Sequence, residues 1–357
     1  MRHRAFVDCD EQLRPAVESL LSMAGLTRDF RARLLDGGAN NRVFHLRAGN
    51  ADVLLKVYFR CPEDGRDRLA AEFAFCRFAW ENGIHLVPRP LACMPEVSLA
   101  LYEYLPGRPI QPSDISDAAL SQALDFYDVI NKYRGLPAAA VLPNAAEACF
   151  SIQDHLECVD GRVARLTKIE VCSEINESAH VFVRDELEPM WRDIRRFTVD
   201  TARAEHLLAK IAESDKCLSP SDFGFHNAVM MADGALRFID FEYAGWDDPG
   251  KLVCDFFCQP ALPVPLEHFE KVMMRVTTKL SAPDWHRHRI RLLFPVYQIK
   301  WCCILLNDFL SVGSHRRLFS GGLHDVVARK VKQLQKARTA LTTVRSGLSR
   351  TSRQSCD

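Results

Sequence analysis

The sequence holds no run approaching the ~18 uncharged apolar residues that a membrane-crossing helix needs, so no membrane span is expected. Its first residues, MRHRAFVDCDEQLRPAVESLL, have neither an uninterrupted apolar centre nor a small-residue cleavage site. No secretory leader is expected from them, and the expected location is cytoplasmic. Neither sign of charge is in excess, with 46 Lys and Arg against 46 Asp and Glu. A broad nucleic-acid surface is therefore not advertised, and neither nucleic acid nor membrane is expected as a partner. The thirteen cysteines contain no Cys-x-x-Cys pair and read as reduced thiols. Cys254 and Cys258, four apart beside Asp255, read as buried small apolar residues rather than as a metal pair. No Gly-x-x-x-x-Gly-Lys-Ser/Thr loop and no internal repeat occur.

What is present is an ordinary globular composition, 48% apolar and 26% charged, over 357 residues. That length exceeds what one core usually holds, so two lobes are expected. Residues 1–34 read as one or two helices. LLDGGANNRVFHLRAGNADVLLKVYF then reads as a β-ribbon, with Val43, His45, Val53, Leu55 and Val57 at strand alternation and Gly49-Asn50 at the turn. Leu69, Phe73, Cys76 and Trp80 fall at steps of four, three and four, one face of a helix that Gly83 stops. A proline-punctuated strand follows and ends at Pro106-Gly107. Beyond it, 116–134, 181–213, 264–280, 287–312 and 322–345 are mostly helical in pattern, with Ser116 as an N-cap. One hairpin, NAVMMADGALRFIDF, interrupts them around Asp233-Gly234. The expected fold is bilobal α+β: a small β-rich N-terminal lobe with one long helix over 1–104, a larger mainly helical lobe over 105–345, and a cleft between them. The polar stretch 346–357 is expected to be a disordered tail.

Three residues then form a set. Asp222 and Asn227 make Asp-x-x-x-x-Asn, and Asp240 closes the hairpin thirteen residues later. Phosphoryl transfer needs one carboxylate to orient the attacking hydroxyl and take its proton. It also needs an amide oxygen and a second carboxylate to hold magnesium against the phosphates. The short loop and the returning hairpin bring these types together, although an aspartate there is as readily a cap or turn residue. Lys56, inside the apolar run Val-Leu-Leu-Lys-Val-Tyr, reads either as a snorkelling edge residue or as a phosphate-gripping cation. Glu72, sixteen residues on, is either solvated or its partner. Gly37, Gly38, Ala39, Asn40 and Asn41 precede the ribbon, where glycines allow a backbone nest for anions.

From Leu34 to Phe257 the sequence resembles the aminoglycoside phosphotransferase and choline kinase group of small-molecule kinases, which share a protein-kinase-like fold. The resemblance rests on GGANNRVF, VLLKVY, the helix with Glu72, VPRPL, ALYEYLPG, SDFGFHN and FIDFEYAGWDDP. It implies Asp222 as catalytic base, Asn227 and Asp240 as magnesium ligands, and Lys56, paired with Glu72, as the phosphate contact. Gly37, Gly38, Asn40, Asn41 and the backbone of Glu103, Tyr104 and Leu105 are the implied nucleotide contacts. The implied cofactors are ATP or GTP with magnesium, and the implied partners are a nucleoside triphosphate and a small-molecule acceptor. The literal Asp222-Phe223-Gly224 is thus not the magnesium-binding Asp-Phe-Gly of protein kinases; Asp240, in Asp-Phe-Glu, takes that place. The sequence departs from the family at Pro220-Ser221, where His-Gly is usual, and activity is expected to survive the change. No Ala-Pro-Glu motif follows Asp240, which argues against a protein kinase.

The acceptor is less specified. Glu242, Trp246, Asp247, Trp301 and Asp308 are the candidate contacts, and Trp301 and Asp308, seven apart, are expected on one helical face. A polycationic aminoglycoside needs several carboxylates and choline an aromatic cage. A neutral sugar or polyol needs only a few hydrogen bonds, and the neutral charge balance prefers it. The alternative function is a non-catalytic kinase-like protein that binds nucleotide or regulates.

Overall fold

The computed structural model describes residues 12–35, 40–60, 65–310, 319 and 326–354, with side chains as far as 347. These residues divide into two compact units, one of 12–146, 217–246 and 319, the other of 147–216, 247–310 and 326–354.

The first unit opens with helix α1 (Arg14–Met23) and a sheet of β1 (Phe30–Leu34), β2 (Arg42–Ala48), β3 (Ala51–Val57), β4 (Pro90–Met94) and β5 (Leu99–Glu103). The strand order is β1-β2-β3-β5-β4, antiparallel throughout. The ribbon expected from the alternation is β2 and β3. Ala48 pairs with Ala51 across a turn in which Gly49 has φ +60°. Val17, Leu20 and Leu21 of α1 bury against Phe44, Leu46, Val53, Leu55 and Leu101. Each such side chain contributes roughly 1.5–3 kcal/mol.

Helix α2 (Arg68–Glu81) begins on Asp67, whose carboxylate accepts from the Ala70 N–H, and ends before Gly83 at φ +73°. Its burial is wider than the stripe read from the sequence. Leu69 and Cys76 are buried, but so are Glu72, Phe75, Phe78 and Ala79, while Phe73 and Trp80 are only half-buried. A helix packed on more than one side loses the single apolar face that periodicity detects. Strand β6 (Arg108–Pro109), α3 (Asp117–Lys132, capped by Ser116) and the single turn α4 (Pro137–Ala140) follow. The unit closes with β7 (Cys217–Ser219), the hairpin β8 (Ala228–Met230) and β9 (Leu236–Phe238), and β10 (Gly245–Asp247), which pairs with β7.

The second unit is helical: α5 (Ile152–Leu166), α6 (Glu174–Phe182), α7 (Glu188–Ala202), α8 (Ala204–Leu207), α9 (Pro249–Cys258), α10 (Phe269–Thr277), α11 (Pro283–Leu305) and α12 (Val326–Gln354). Helix α5 was not foreseen, although Ser151 and Asp154 form a capping box at its start. Helix α12 runs on through 346–354, where no regular structure was expected; extending a formed helix costs little per residue. Residues 355–357 lie outside the described ones. Among the described residues no helix is long and apolar enough to cross a membrane.

The second unit buries several charges, each with a partner. Lys251 Nζ lies 2.6 Å from Asp247, Lys300 Nζ 2.9 Å from Asp255, and Arg289 and His155 both meet Asp248. Buried ions without such partners would cost several kcal/mol each.

Candidate active site

Lys56 sits on β3, which has β2 on one side and β5 on the other, so it is not an edge residue. It is 6% exposed, and a buried ammonium must be paired. Its Nζ donates to both oxygens of Glu72 on α2, at 2.6 and 2.9 Å, and to Asp240 Oδ1 at 2.8 Å. Burial alone would lower the lysine pKa, but the Asp240 and Glu72 carboxylates outweigh it and hold the pKa above the usual value. Glu72 moves up, chiefly because it is desolvated. It also accepts from the Tyr58 hydroxyl at 2.7 Å and from the Phe241 N–H at 3.3 Å. Tyr58 was missed in the sequence, yet it lies two residues after Lys56, the strand spacing that returns a side chain to the same face.

Asp222 follows β7 through Pro220-Ser221. Ser221 has φ +65°, the left-handed region that glycine enters without penalty. It is held there by two bonds: its N–H donates to Ser219 Oγ at 2.9 Å and its hydroxyl to the Ala146 carbonyl at 3.3 Å. The serine therefore holds, through these bonds, a conformation that a glycine would enter without penalty. Phe223 and Phe225 are buried and anchor the loop. Phe126 stacks on Phe238 at 4.5 Å between ring centres, and Phe75 on Phe241 at 4.8 Å, so aromatic packing supports the hairpin beneath.

The loop is tied to itself as well. Asn227 Nδ2 donates to the Asp222 carbonyl at 2.9 Å, and His226 Nε2 lies 3.2 Å from Asp222 Oδ1. The hairpin then does what the spacing required. Ala228 pairs with Phe238, and the Ile239 N–H donates to the Asn227 carbonyl at 2.9 Å. Asn227 and Asp240 thereby stand at the same open end of the hairpin. Asp240 has φ +67°, and its side chain is 40% exposed although it bonds Lys56. The Asn227 amide oxygen and the Asp240 carboxylate are hard oxygen donors of the kind magnesium takes. Among the described residues no group of three or more His, Cys, Asp or Glu is gathered for a metal.

The other expected contacts fall in different places. Gly37 and Gly38 lie outside the described residues. Asn40 and Asn41 are spent on Glu242: Asn41 Nδ2 donates to Oε2 at 2.6 Å, and Asn40 Nδ2 donates to Oε1 and, at 2.9 Å, meets the Tyr243 hydroxyl. Glu242 is 2% exposed, with Arg68 Nε 3.8 Å from its Oε2. Burial and the neighbouring Asp240 charge push it up to about 7. Glu103 ends β5, its carboxylate accepting from the Arg89 N–H at 3.2 Å, and Tyr104 stacks on His45 at 3.8 Å. Leu105 follows them, half-buried.

Trp246 donates its indole N–H to the Ala139 carbonyl at 2.9 Å. Asp247 is fully buried against Lys251, and burial raises it to about 6 despite that lysine. Trp301 donates to Asp255 at 2.8 Å. Asp308 accepts from Arg329 at 2.9 Å. Helix α11 ends at Leu305 and Asp308 lies in a following 3₁₀ turn, so seven-residue spacing does not place it and Trp301 on one helical face.

The model of a family described as the phosphotransferase enzyme family matches residues 31–258. Among curated proteins none matches the sequence. Solved structures show the same fold at low identity. A choline/ethanolamine kinase family protein from Mesorhizobium loti is 18% identical, with TM-score 0.57 over 94% of this chain and 99% of that one. A spectinomycin phosphotransferase, in complex with ADP and spectinomycin, is 10% identical, with TM-score 0.56 over 90% and 98%. The choline kinase of Streptococcus pneumoniae is 13% identical, with TM-score 0.54 over 93% and 100%.

Proposed function

The chain belongs to the phosphotransferase enzyme family, and from that premise we propose that it moves the terminal phosphoryl group of ATP to a hydroxyl of an uncharged small molecule, a sugar or polyol. The observation that carries this reading is the joining of Lys56, Glu72 and Asp240, with Asp222 and Asn227 on the loop that leads into the same hairpin.

Asp222 orients the acceptor hydroxyl and takes its proton as the oxygen attacks. Lys56, kept charged by two carboxylates, grips nucleotide phosphate, and Glu72 fixes where its ammonium points. Asn227 and Asp240 would hold magnesium, which when bound neutralises charge on the phosphates. Asn227 would do so while its amide nitrogen fixes the Asp222 main chain, so base and metal site would share one anchor.

What supports an uncharged acceptor is where four carboxylates are spent. Glu242 serves Asn40 and Asn41, Asp247 serves Lys251, Asp248 serves Arg289 and His155, and Asp255 serves Lys300 and Trp301. A polycationic antibiotic needs several uncommitted carboxylates, and these four are committed within their own units. A neutral polyol needs none.

The test is ADP release from magnesium-ATP across a panel of neutral sugars and polyols, choline, ethanolamine and aminoglycosides. Turnover with a neutral hydroxyl compound is expected. Turnover confined to a polycation would overturn the acceptor class. Absence of any turnover, together with no magnesium-dependent ATP shift in melting temperature, would favour the non-catalytic reading.

A further inference from the structure

The Asp222 carboxylate is about one-third exposed on a short side chain, and such a group swings about its last bond unless something holds it. His226 Nε2 lies 3.2 Å from its Oδ1. The His226 side chain is 17% exposed, and its Nδ1 is buried with no hydrogen-bond partner among the described residues. That asymmetry discriminates between the two neutral tautomers of the ring. With the proton on Nε2, the ring donates to the carboxylate and Nδ1 presents only a lone pair. With it on Nδ1, a donor would be buried unbonded while a lone pair faced a carboxylate oxygen.

We propose that His226 is a positioning residue for phosphoryl transfer: its Nε2–H holds the Asp222 carboxylate in the orientation that meets the acceptor hydroxyl. The inference rests on Asp222 being the base. His226 and Asn227, adjacent on one 3₁₀ turn, then grip the two ends of one residue. His226 bonds the Asp222 side chain and Asn227 its carbonyl. Among the described residues Nδ1 has no partner to pass a proton to, so the role inferred for the imidazole is to orient the carboxylate.

The experiment measures ADP release from saturating magnesium-ATP, with water as the phosphoryl acceptor, in His226→Leu, His226→Asn, His226→Gln and Asp222→Asn. The Gln amide nitrogen reaches to the place of Nε2, whereas the Asn amide stops short and the Leu side chain cannot donate. His226→Leu and His226→Asn are expected to lower kcat about tenfold or more, with the ATP KM within about twofold of wild type. His226→Gln is expected to restore most of the loss. The inference is overturned if the Leu and Asn variants keep wild-type kcat, or if the Gln variant falls as far as they do. Should His226→Leu fail to fold, the Asn and Gln pair still decides. If Asp222→Asn keeps full turnover, the base reading itself fails. If it is inactive while His226→Asn is unimpaired, only the His226 inference fails.

Discussion

Replacing Glu72 by glutamine keeps the size of the side chain and removes its charge. Glu72 is 2% exposed and accepts four hydrogen bonds: two from Lys56, one from Tyr58 and one from the Phe241 N–H. Glutamine offers one carbonyl oxygen, and its amide nitrogen turns further donors towards the same donors. About two acceptors are therefore lost, in a place that water does not reach. Charge-assisted hydrogen bonds are worth roughly 1.5–3 kcal/mol each, and breaking a buried pair costs roughly 3–5 kcal/mol. Lys56 keeps Asp240 at 2.8 Å, so its charge is not orphaned, and the lower end, about 3 kcal/mol, is the expected loss. Urea unfolding of wild type and Glu72→Gln measures it. The ammonium should also swing towards Asp240, raising the ATP KM about tenfold in a steady-state assay. A loss under about 1 kcal/mol with an unchanged ATP KM would refute the claim that Glu72 sets the lysine.

Three more outcomes are expected. Glu147, 2.5 Å from Arg162, is held down at about 2 from 4.5: burial would raise it, but Arg162 and then Lys300 outweigh burial. A pKa depressed in the folded state gives stability above pH ~4.5 that is lost as pH falls towards ~2. Discounted for partial exposure, this is roughly 2–3 kcal/mol, so wild type should exceed Glu147→Gln by that much at pH 7 in urea melts, with the gap closing near pH 2–3. A gap independent of pH would contradict it. Ser221→Gly should stay within about 1 kcal/mol of wild type, because relief of the left-handed backbone offsets the lost hydroxyl bond and the added chain freedom, whereas Ser221→Val should lose ~2 kcal/mol or more. Equal thermal midpoints for the two variants would count against the conformational reading. Asp240→Ala should abolish the magnesium dependence of ATP binding in isothermal titration; an unchanged magnesium effect would move the metal site elsewhere.

The Asp222–Asn227 loop and the hairpin were legible because their information is local. Asp222, Asn227 and Asp240 are placed by a short turn and a two-stranded return, and alternation shows both. Lys56 and Glu72 were legible as candidates, and the sheet order decided between edge residue and buried cation. What stayed hidden depends on distant partners. Glu242 looks like an available carboxylate beside the hairpin, but Asn40 and Asn41, some 200 positions earlier, occupy it. Asp308 likewise looks open until Arg329 is seen against it. Helix α2 conceals its burial because it is covered on more than one side, so no single stripe marks it. His226 stood next to a predicted ligand, yet only the fold shows which of its nitrogens meets Asp222.

The central claim is that Asp222 takes the acceptor proton. The most direct measurement is kcat for ADP release by Asp222→Asn at saturating magnesium-ATP, alongside ATP affinity by titration. A fall of roughly 10²–10⁴-fold in kcat with ATP affinity nearly unchanged is expected, as loss of a general base costs about that much. Full turnover by Asp222→Asn would contradict the account.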